Sequence, residues 1–311
     1  MSAARRSTAA PGRSTATSGR STATKRQSTA TGGSSTRGRS PLGVDLRRRL
    51  RVVPGKRVDL AKIDPSESFG HAKDEADELL EAGRLRLESL QERLWASKGG
   101  SLLVVLQGID TAGKDGTIRH VMTAFNPQGC SVTGFGVPTP DELAHDYLWR
   151  THRSTPAKGT IAIHNRSHYE DVLVVRVHDL VPRKVWRQRY DQINAFERHL
   201  ADNGTTIVKI FLWISRDEQA QRLQARIDTP EKRWKFKRAD LAERKRWDDY
   251  VAAYEEALTR CSTDVAPWYV IPSNRKWFRN VAVAEILADT MDGMKLTYPP
   301  AEEGIESIIV E

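Results

Sequence analysis

Five apolar runs, separated by polar and amphipathic stretches, divide the chain into a repeating pattern of strands and helices. The first, third and fourth runs are rich in Leu, Val or Ile, which is typical of strands buried on both faces, whereas the second and the last are predicted only as strands. The predicted strands are Ser101–Gln107, Cys130–Val137, Thr160–His164, Thr205–Ile214 and Trp268–Ile271. This alternation predicts an α/β fold built on a central, mostly parallel sheet.

Helical patterns occupy the segments between these runs. Leucines at helical spacing among Glu and Arg predict a long amphipathic helix over His71–Lys98, which Gly99 and Gly100 end. Further helices are predicted at Lys114–Phe125, Asp141–His152 and Pro182–Leu200, and a closing helix follows the last strand as far as Met291. We expect the first helix to pack against the domain rather than to carry chemistry.

A glycine turn with a lysine joins the first strand to the next helix. Its sequence, Gly108-Ile-Asp-Thr-Ala-Gly-Lys-Asp115, has the G-x-x-x-x-G-K spacing of a phosphate-binding loop. Glycines allow backbone amides and the helix N-terminus to point at an anion, and Lys114 would add a point charge on the outer phosphates. A plain glycine turn with a surface lysine is the alternative. The buried strand before the turn and the helix after it favour the phosphate site.

Asp115 departs from the usual phosphate loop, in which Ser or Thr follows the lysine and holds magnesium. Another metal ligand is therefore needed. Asp110, inside the loop, is a candidate for holding Mg²⁺ or for accepting a proton.

A second polar cluster, Asn165–Asp171, follows the third strand. An open α/β sheet places its ligand at the carboxyl ends of its strands. Arg166 can grip phosphate oxygens in a fork, whereas Asn165 and Glu170 can coordinate Mg²⁺ directly or through water. An ordinary loop with surface charges is the alternative. His164 and His168 invite a zinc interpretation, but with no third ligand evident we favour non-ligand histidines.

The most basic and aromatic part of the predicted domain lies at about residues 216–250. Arg222 and Arg226 lie four residues apart on one helix face, and Asp228-Thr-Pro230 breaks that helix. Two cationic helices joined by a hinge would form a lid that closes over an anionic substrate and excludes water. A solvated basic face is the alternative. Trp234 could stack on a base, but packing in the core is an equal alternative.

Composition places the excess charge in one segment. The chain of 311 residues has a net charge of +9, and residues 1–40 contain eight Lys and Arg but no acid. Removing those eight from the 49 basic residues leaves 41 against 40 acidic ones, so the rest is nearly neutral. The repeated Ser-Thr-Ala-Thr motif at Arg13–Thr17, Arg20–Thr24 and Gln27–Thr31 predicts a disordered tail. It could be a solubilising tail or could bind polyanions such as nucleic acid.

The expected organisation is a basic tail (1–40), a linker (41–70), a phosphate-loop domain (71–295) and a C-terminal tail (296–311). No apolar run approaches the roughly 20 residues that span a bilayer, and the N-terminus lacks the apolar region of a secretory signal. Only two cysteines occur, without ligand spacing, which suits a reducing compartment. We therefore expect a cytoplasmic protein with no membrane partner.

Four segments, in order, resemble motifs of the polyphosphate kinase 2 family. They are Gly108–Gly116, His164–Asp171, Arg222–Lys235 and Ala266–Asn274. Asp after the loop lysine is normal for that family. The resemblance, which spans about residues 41–295, implies a three-layer P-loop kinase fold of the thymidylate-kinase kind with a helical lid.

The resemblance also implies roles for individual residues. The expected catalytic residues are Asp110, Lys114 and Arg166, and the expected metal ligands for Mg²⁺, with Mn²⁺ as an alternative, are Asp110, Asn165 and Glu170. The expected phosphate-binding residues are Gly108, Gly113, Lys114, Asp115, Gly116, Arg166, Arg222, Arg226, Lys232 and Lys235. Asn165 stands where better-known branches have Asp. Together with Glu170 it resembles the branch that phosphorylates both nucleoside monophosphates and diphosphates.

The reaction implied is reversible transfer of a terminal phosphoryl group from inorganic polyphosphate to AMP or ADP, with guanine nucleotides as further acceptors. The expected assembly is a homo-oligomer. The first alternative is an ATP-dependent nucleotide or nucleoside kinase of related architecture. The second is a polyanion-binding protein that acts through its basic tail.

Overall fold

The computed structural model describes residues 45–310, in which one parallel sheet is covered by helices. The strands are β1 Ser101–Gly108, β2 Cys130–Gly134, β3 Ile161–Asn165, β4 Thr205–Trp213 and β5 Trp268–Pro272. The helices are α1 Leu46–Arg49, α2 Ala76–Ser97, α3 Lys114–His120, α4 Pro140–Leu143, α5 Trp149–His152, α6 Val174–Val177, α7 Arg183–Asp202, α8 Arg216–Asp228, α9 Arg238–Lys245, α10 Trp247–Cys261 and α11 Lys276–Gly293. The predicted tail, residues 1–40, lies outside the described residues.

The sheet has the order β2-β3-β1-β4-β5, and every neighbouring pair is parallel. Strand β1 lies at the centre, with Leu106 opposite Asn165 of β3 and Gly108 opposite Leu212 of β4. The carboxyl ends of all strands therefore meet at one edge. The loop after β1 and the polar cluster after β3 are neighbours there, as the sequence predicts.

The core lies on both faces of this sheet. All eight residues of β1 are buried, which requires cover on both sides and explains why its sequence does not alternate. Helices α2 and α11 pack closely together, since a Cβ at Gly83 would lie 3.1 Å from the Cβ of Ala284. The α/β class and the parallel sheet are confirmed, and all five predicted strands are present within a few residues.

Two predicted helices are shorter than expected. The predicted helix Asp141–His152 is two short helices, because a capping box of Thr139 and Glu142 starts the first and the Asp146 carboxylate accepts a hydrogen bond from the Leu148 amide. The predicted helix Lys114–Phe125 is α-helical only as far as His120 and continues as a 3-10 turn.

The described part of the predicted linker, residues 45–70, is packed into the domain. Leu46 and Leu60 have no exposed surface, and Arg51 forms an antiparallel bridge with Tyr269 of β5. The linker interpretation is therefore wrong for these residues. Leu46 and Leu50, which flank the arginines of this segment, are buried in the core and fix the segment there. At the other end, residues 297–310 are all exposed.

Among residues 45–310, no helix combines the length and apolar character needed to cross a membrane.

Candidate active site

The phosphate loop is shaped by its glycines and by one strained threonine. A Cβ at Gly108 would lie 2.9 Å from the Ala112 Cβ and 3.0 Å from the Leu212 carbonyl oxygen, so only glycine fits. Gly113 has a φ of 112°. Thr111 has a φ of 66°, which a β-branched residue rarely adopts. The surrounding structure must hold this conformation, and such strain is common at functional sites.

Lys114 folds back over its own loop. Its Nζ donates to the Gly108 carbonyl oxygen at 2.7 Å. Burial, together with the charge of Arg166, lowers the pKa of the ammonium to about 8, although the carboxylates of Asp110 and Glu170 oppose this shift. A bound phosphate would supply the missing negative charge. The local electrostatics therefore suit an anion in front of the lysine.

The cluster after β3 is joined to the loop. The Asn165 side-chain amide donates to the Asp115 carboxylate at 3.0 Å. Arg166 also has a left-handed backbone, with a φ of 64°, and its amide donates to the Leu106 carbonyl oxygen. Burial opposes its charge, but nearby groups, Glu170 foremost, outweigh burial and raise the pKa of the guanidinium. The two predicted motifs thus form one site.

Arg222 does not present its guanidinium to this site. Its five N–H groups all bind protein: Nε donates to the Glu218 carboxylate, Nη1 to the Thr111 and Ala112 carbonyl oxygens, and Nη2 to those of Ser273 and Asn274. Its side chain is largely buried. Arg222 therefore holds the strained loop against the end of β5. The prediction that it binds phosphate through free N–H groups does not fit this geometry.

Arg226, one helical turn later, faces the loop with its charge less engaged. Its Nη1 lies 3.7 Å from the Asp110 carboxylate and 3.8 Å from that of Asp240, and it donates to the Lys235 carbonyl oxygen at 3.2 Å. The expected meeting of the basic segment with the loop is thus observed. A phosphate at Asp110 would lie within reach of Arg226.

A sequence model described as Polyphosphate kinase 2 matches residues 70–299. This chain belongs to the polyphosphate kinase 2 family. The match includes the phosphate loop, the cluster after β3 and the basic segment that contacts the loop.

Relatives in this family cover most of the chain. The AMP/ADP-polyphosphate phosphotransferase of Meiothermus ruber is 53% identical over 266 residues, which are 85% of this chain and 100% of the relative. The ADP-polyphosphate phosphotransferase of Rhodopseudomonas palustris is 46% identical, over 81% of this chain and 92% of the relative. The crystal structure of Polyphosphate Kinase 2 from Arthrobacter aurescens TC1 has a TM-score of 0.81 at 44% identity, over 84% of this chain and 94% of that one.

The outer part of the basic segment is exposed in this member of the family. A 3-10 helix, Pro230–Lys235, and α9 follow α8, and Lys232 and Lys235 are solvent-exposed. Trp234 is 75% exposed, with the Lys235 ammonium 4.9 Å from its ring centre. Core packing of Trp234 is therefore excluded.

Sequence reasoning missed a buried cation next to the loop and an exposed one at the start of the same helix. Arg279 of α11 is 3% exposed, and its Nη1 lies 1.9 Å from where a Cβ on Gly113 would be. Lys276, at the start of the same helix, is exposed. The feature of the sequence that could have identified them is their position directly after the last strand, which brings them to the carboxyl edge of the sheet.

The two histidines of the second motif make internal contacts. His164 Nε2 lies 3.0 Å from the Ser154 carbonyl oxygen, and His168 Nε2 lies 3.2 Å from the Glu197 carboxylate. Glu197 is fully buried and also accepts hydrogen bonds from Lys209 and Tyr169. This buried cluster fixes the turn that carries Arg166 and Glu170. In the described residues, no group of three or more His, Cys, Asp and Glu side chains has the arrangement of a metal site.

Proposed function

We propose that this protein transfers the terminal phosphoryl group of inorganic polyphosphate to AMP and ADP, and that the reaction is reversible. The observation that carries the proposal is the convergence of Lys114, Arg166 and Arg226 on one loop, with Asp110 and Glu170 among them. The activities for which the Meiothermus and Rhodopseudomonas relatives are named support it.

The proposed chemistry relies on placement and charge. Phosphoryl transfer needs the attacking and leaving oxygens in line and the charge on the moving group neutralised. The loop amides and Lys114 would hold the transferred group, while Arg166 and Arg226 would approach it from two sides. Gly108, Gly113, Asp115 and Gly116 shape the loop. We retain Lys232 and Lys235 as phosphate-binding residues in the exposed outer segment.

The residues present fit a divalent metal ion. Asp110 and Glu170 both lie close enough to Lys114 to oppose the lowering of its pKa, and the Asn165 side-chain oxygen remains available while its amide binds Asp115. Carboxylate and amide oxygens are ligands that Mg²⁺ prefers, and Mn²⁺ accepts the same set. When bound, the ion would neutralise negative charge on the phosphates.

The acceptor range is part of the proposal. The pair Asn165 and Glu170 resembles that of the branch of the family that phosphorylates both nucleoside monophosphates and diphosphates, which supports AMP and ADP as acceptors, and guanine nucleotides are further candidate acceptors. A homo-oligomer and a cytoplasmic location stay predictions from the sequence.

The deciding experiment compares phosphoryl donors. Purified protein is incubated with AMP, ADP, GMP or GDP, Mg²⁺ and either polyphosphate or ATP, and the nucleotide products are separated. We expect ADP and ATP to form from polyphosphate. Transfer to AMP from ATP alone would instead assign the protein to the ATP-dependent kinases.

The basic tail provides the remaining alternative. Deleting residues 1–40, which lie outside the described part of the chain, should leave turnover unchanged and remove any salt-dependent binding of nucleic acid. Loss of turnover on deletion would count against a separate role for the tail.

A further inference from the structure

Ser167, which follows Arg166, is the anchor of the second motif. Arg166 has a left-handed backbone, whereas Ser167 is extended and has no exposed surface. Ser167 also starts the 3-10 turn that carries Glu170. Its hydroxyl oxygen accepts a hydrogen bond from the Tyr169 amide at 3.1 Å, and its carbonyl oxygen accepts one from the Glu170 amide at 3.0 Å. The position of Ser167 therefore sets the positions of both Arg166 and Glu170.

Gln107 connects this anchor to the phosphate loop. It is the residue of β1 directly before Gly108, and it has no exposed surface. Its side-chain Nε2 donates to the Ser167 hydroxyl oxygen at 3.2 Å. The backbone supports the same contact, because the Arg166 amide donates to the Leu106 carbonyl oxygen at 3.0 Å. One buried side chain thus joins the residue before the loop to the residue after Arg166.

Tyr254 of α10 fixes the orientation of the Gln107 side chain. The Tyr254 hydroxyl donates to the Gln107 Oε1 at 3.4 Å. Burial, with the charge of Glu170, raises the pKa of this hydroxyl well above its ordinary value, so the hydroxyl keeps its proton and acts as a donor. Since the Gln107 oxygen faces that donor, its NH2 group is left to face Ser167. The buried side-chain amide therefore has a partner on each side.

A polar side chain is unexpected at this position of a buried strand. Residues Leu102–Leu106 of β1 are all apolar, and burying an amide is unfavourable unless its hydrogen bonds are made. Replacing such a group and its partner by apolar groups of the same shape can be nearly neutral for stability. The presence of Gln107 is therefore best explained by the groups that it holds in place.

We propose that Gln107 is a positioning residue, which through Ser167 holds Arg166 and Glu170 against the phosphate loop. This inference rests on the proposed function, in which Arg166 and Glu170 act on the transferred group. Groups on two separate loops must meet the same phosphoryl group, and a small displacement of one loop lowers the rate steeply. Gln107 keeps the two loops in register without touching the substrate.

The test compares two buried serine hydroxyls. Ser167→Ala removes the oxygen that Gln107 holds, whereas the matched control Ser101→Ala removes a buried hydroxyl that donates to the Thr205 hydroxyl at the amino end of β1. Gln107→Met keeps the length of the side chain and removes both of its hydrogen bonds. The double variant Gln107→Met/Ser167→Ala completes a double-mutant cycle. Steady-state rates with polyphosphate and AMP give kcat and KM, and thermal unfolding gives Tm.

Gln107→Met and Ser167→Ala should each reduce kcat about tenfold or more, with KM for both substrates within about twofold of the wild type, because bound substrates are held but not aligned. Ser101→Ala also loses a buried hydrogen bond but should keep the kcat of the wild type. The double variant should be about as slow as the slower single variant, since both changes break the same contact.

Two results would overturn the assignment. A normal kcat in either single variant, whatever its Tm, would make the contact purely structural, and multiplicative effects in the double variant would show that Gln107 does not act through Ser167. If Gln107→Met does not fold, Tyr254→Phe replaces it in the cycle, because it removes only the donor that orients the amide. A wild-type enzyme that does not use polyphosphate would instead remove the proposed function, and the same comparison with ATP would still decide the role of Gln107.

Discussion

Two buried cations in this molecule have opposite surroundings. Lys209, inside β4, has no exposed surface, and its ammonium donates to the Glu197 carboxylate, the Tyr169 hydroxyl and the Cys261 carbonyl oxygen. Arg279, behind the phosphate loop, is almost as deeply buried but has no ion pair with a described carboxylate.

The difference separates charge that stabilises the fold from charge that waits for a ligand. Burying an ion costs several kcal/mol unless a partner of opposite sign goes with it. The Lys209 cluster contains that partner, and Lys209 with His168 lowers the pKa of the Glu197 carboxyl despite its burial. Arg279 forms no such ion pair within residues 45–310, so an anion from outside would supply the missing negative charge. Removing a cation should therefore have opposite effects on stability in the two places.

The largest expected effect is on Lys209. Lys209→Met leaves the Glu197 carboxylate buried without its ammonium partner, and should lower the free energy of unfolding by about 3–5 kcal/mol. Urea unfolding followed by circular dichroism measures it. The double variant Lys209→Met/Glu197→Gln should recover part of the loss, because the unpaired charge is then gone. A single variant as stable as the wild type would mean that the cluster carries no net stabilisation.

The next effect is on Lys114. Lys114→Met should reduce kcat by about 10²-fold or more, since a preorganised charge at the transferred group is lost. Its Tm should stay the same or rise, because a buried cation with a lowered pKa has been removed. Steady-state kinetics and thermal unfolding check the two halves. A reduced Tm with a normal kcat would mean that Lys114 stabilises the fold and does not act in catalysis.

A matched pair of substitutions separates the two lid arginines. Arg222→Lys removes most of five hydrogen bonds to protein and should lower the free energy of unfolding by about 2–3 kcal/mol. Arg226→Lys should leave stability within about 0.5 kcal/mol of the wild type and should act mainly on KM or kcat. If Arg226→Lys proved the more destabilising, the assigned roles would have to be exchanged.

The smallest expected effect is a pH dependence. The lowered pKa of Lys114, about 8, lies below the ordinary value of 10.5, so the free enzyme loses this charge as pH rises through about 8. Because the ammonium is the active form, kcat/KM for polyphosphate should fall on the alkaline side, by at most tenfold per pH unit. Lys114→Arg stays charged, so its residual activity should lack this fall. An unchanged alkaline limb in that variant would assign the titration to another group.

Much of the fold and part of the site could be predicted from the sequence. The buried strands are recognisable in the sequence as apolar runs because both faces of a parallel sheet are covered. The phosphate loop is recognisable because no other residue can replace its glycines. Asp110, Lys114, Asn165, Arg166 and Glu170 came from motifs at strand ends, where topology brings residues together.

The role of Arg222 could not be predicted from residue types. Its hydrogen bonds go to the Glu218 carboxylate and to four backbone carbonyl oxygens, and carbonyl oxygens are the same in every residue. Spacing showed that Arg222 shares a helix face with Arg226. It did not show that the Arg222 guanidinium would bind protein groups instead of facing the ligand site. Arg279 was missed for a related reason, since a basic residue inside an apolar helix gives no sign of which loop it contacts.

The hydrogen bonds of Arg222 also restrict how the active site can open. The start of α8 is fastened at once to the phosphate loop and to the end of β5, so the whole helix cannot swing away without breaking those bonds. Any opening must bend the chain between residue 223 and Pro230. Substrates would then be exchanged by a short flap at the outer end, while the phosphate loop and its contacts with Arg222 stay assembled through every turnover.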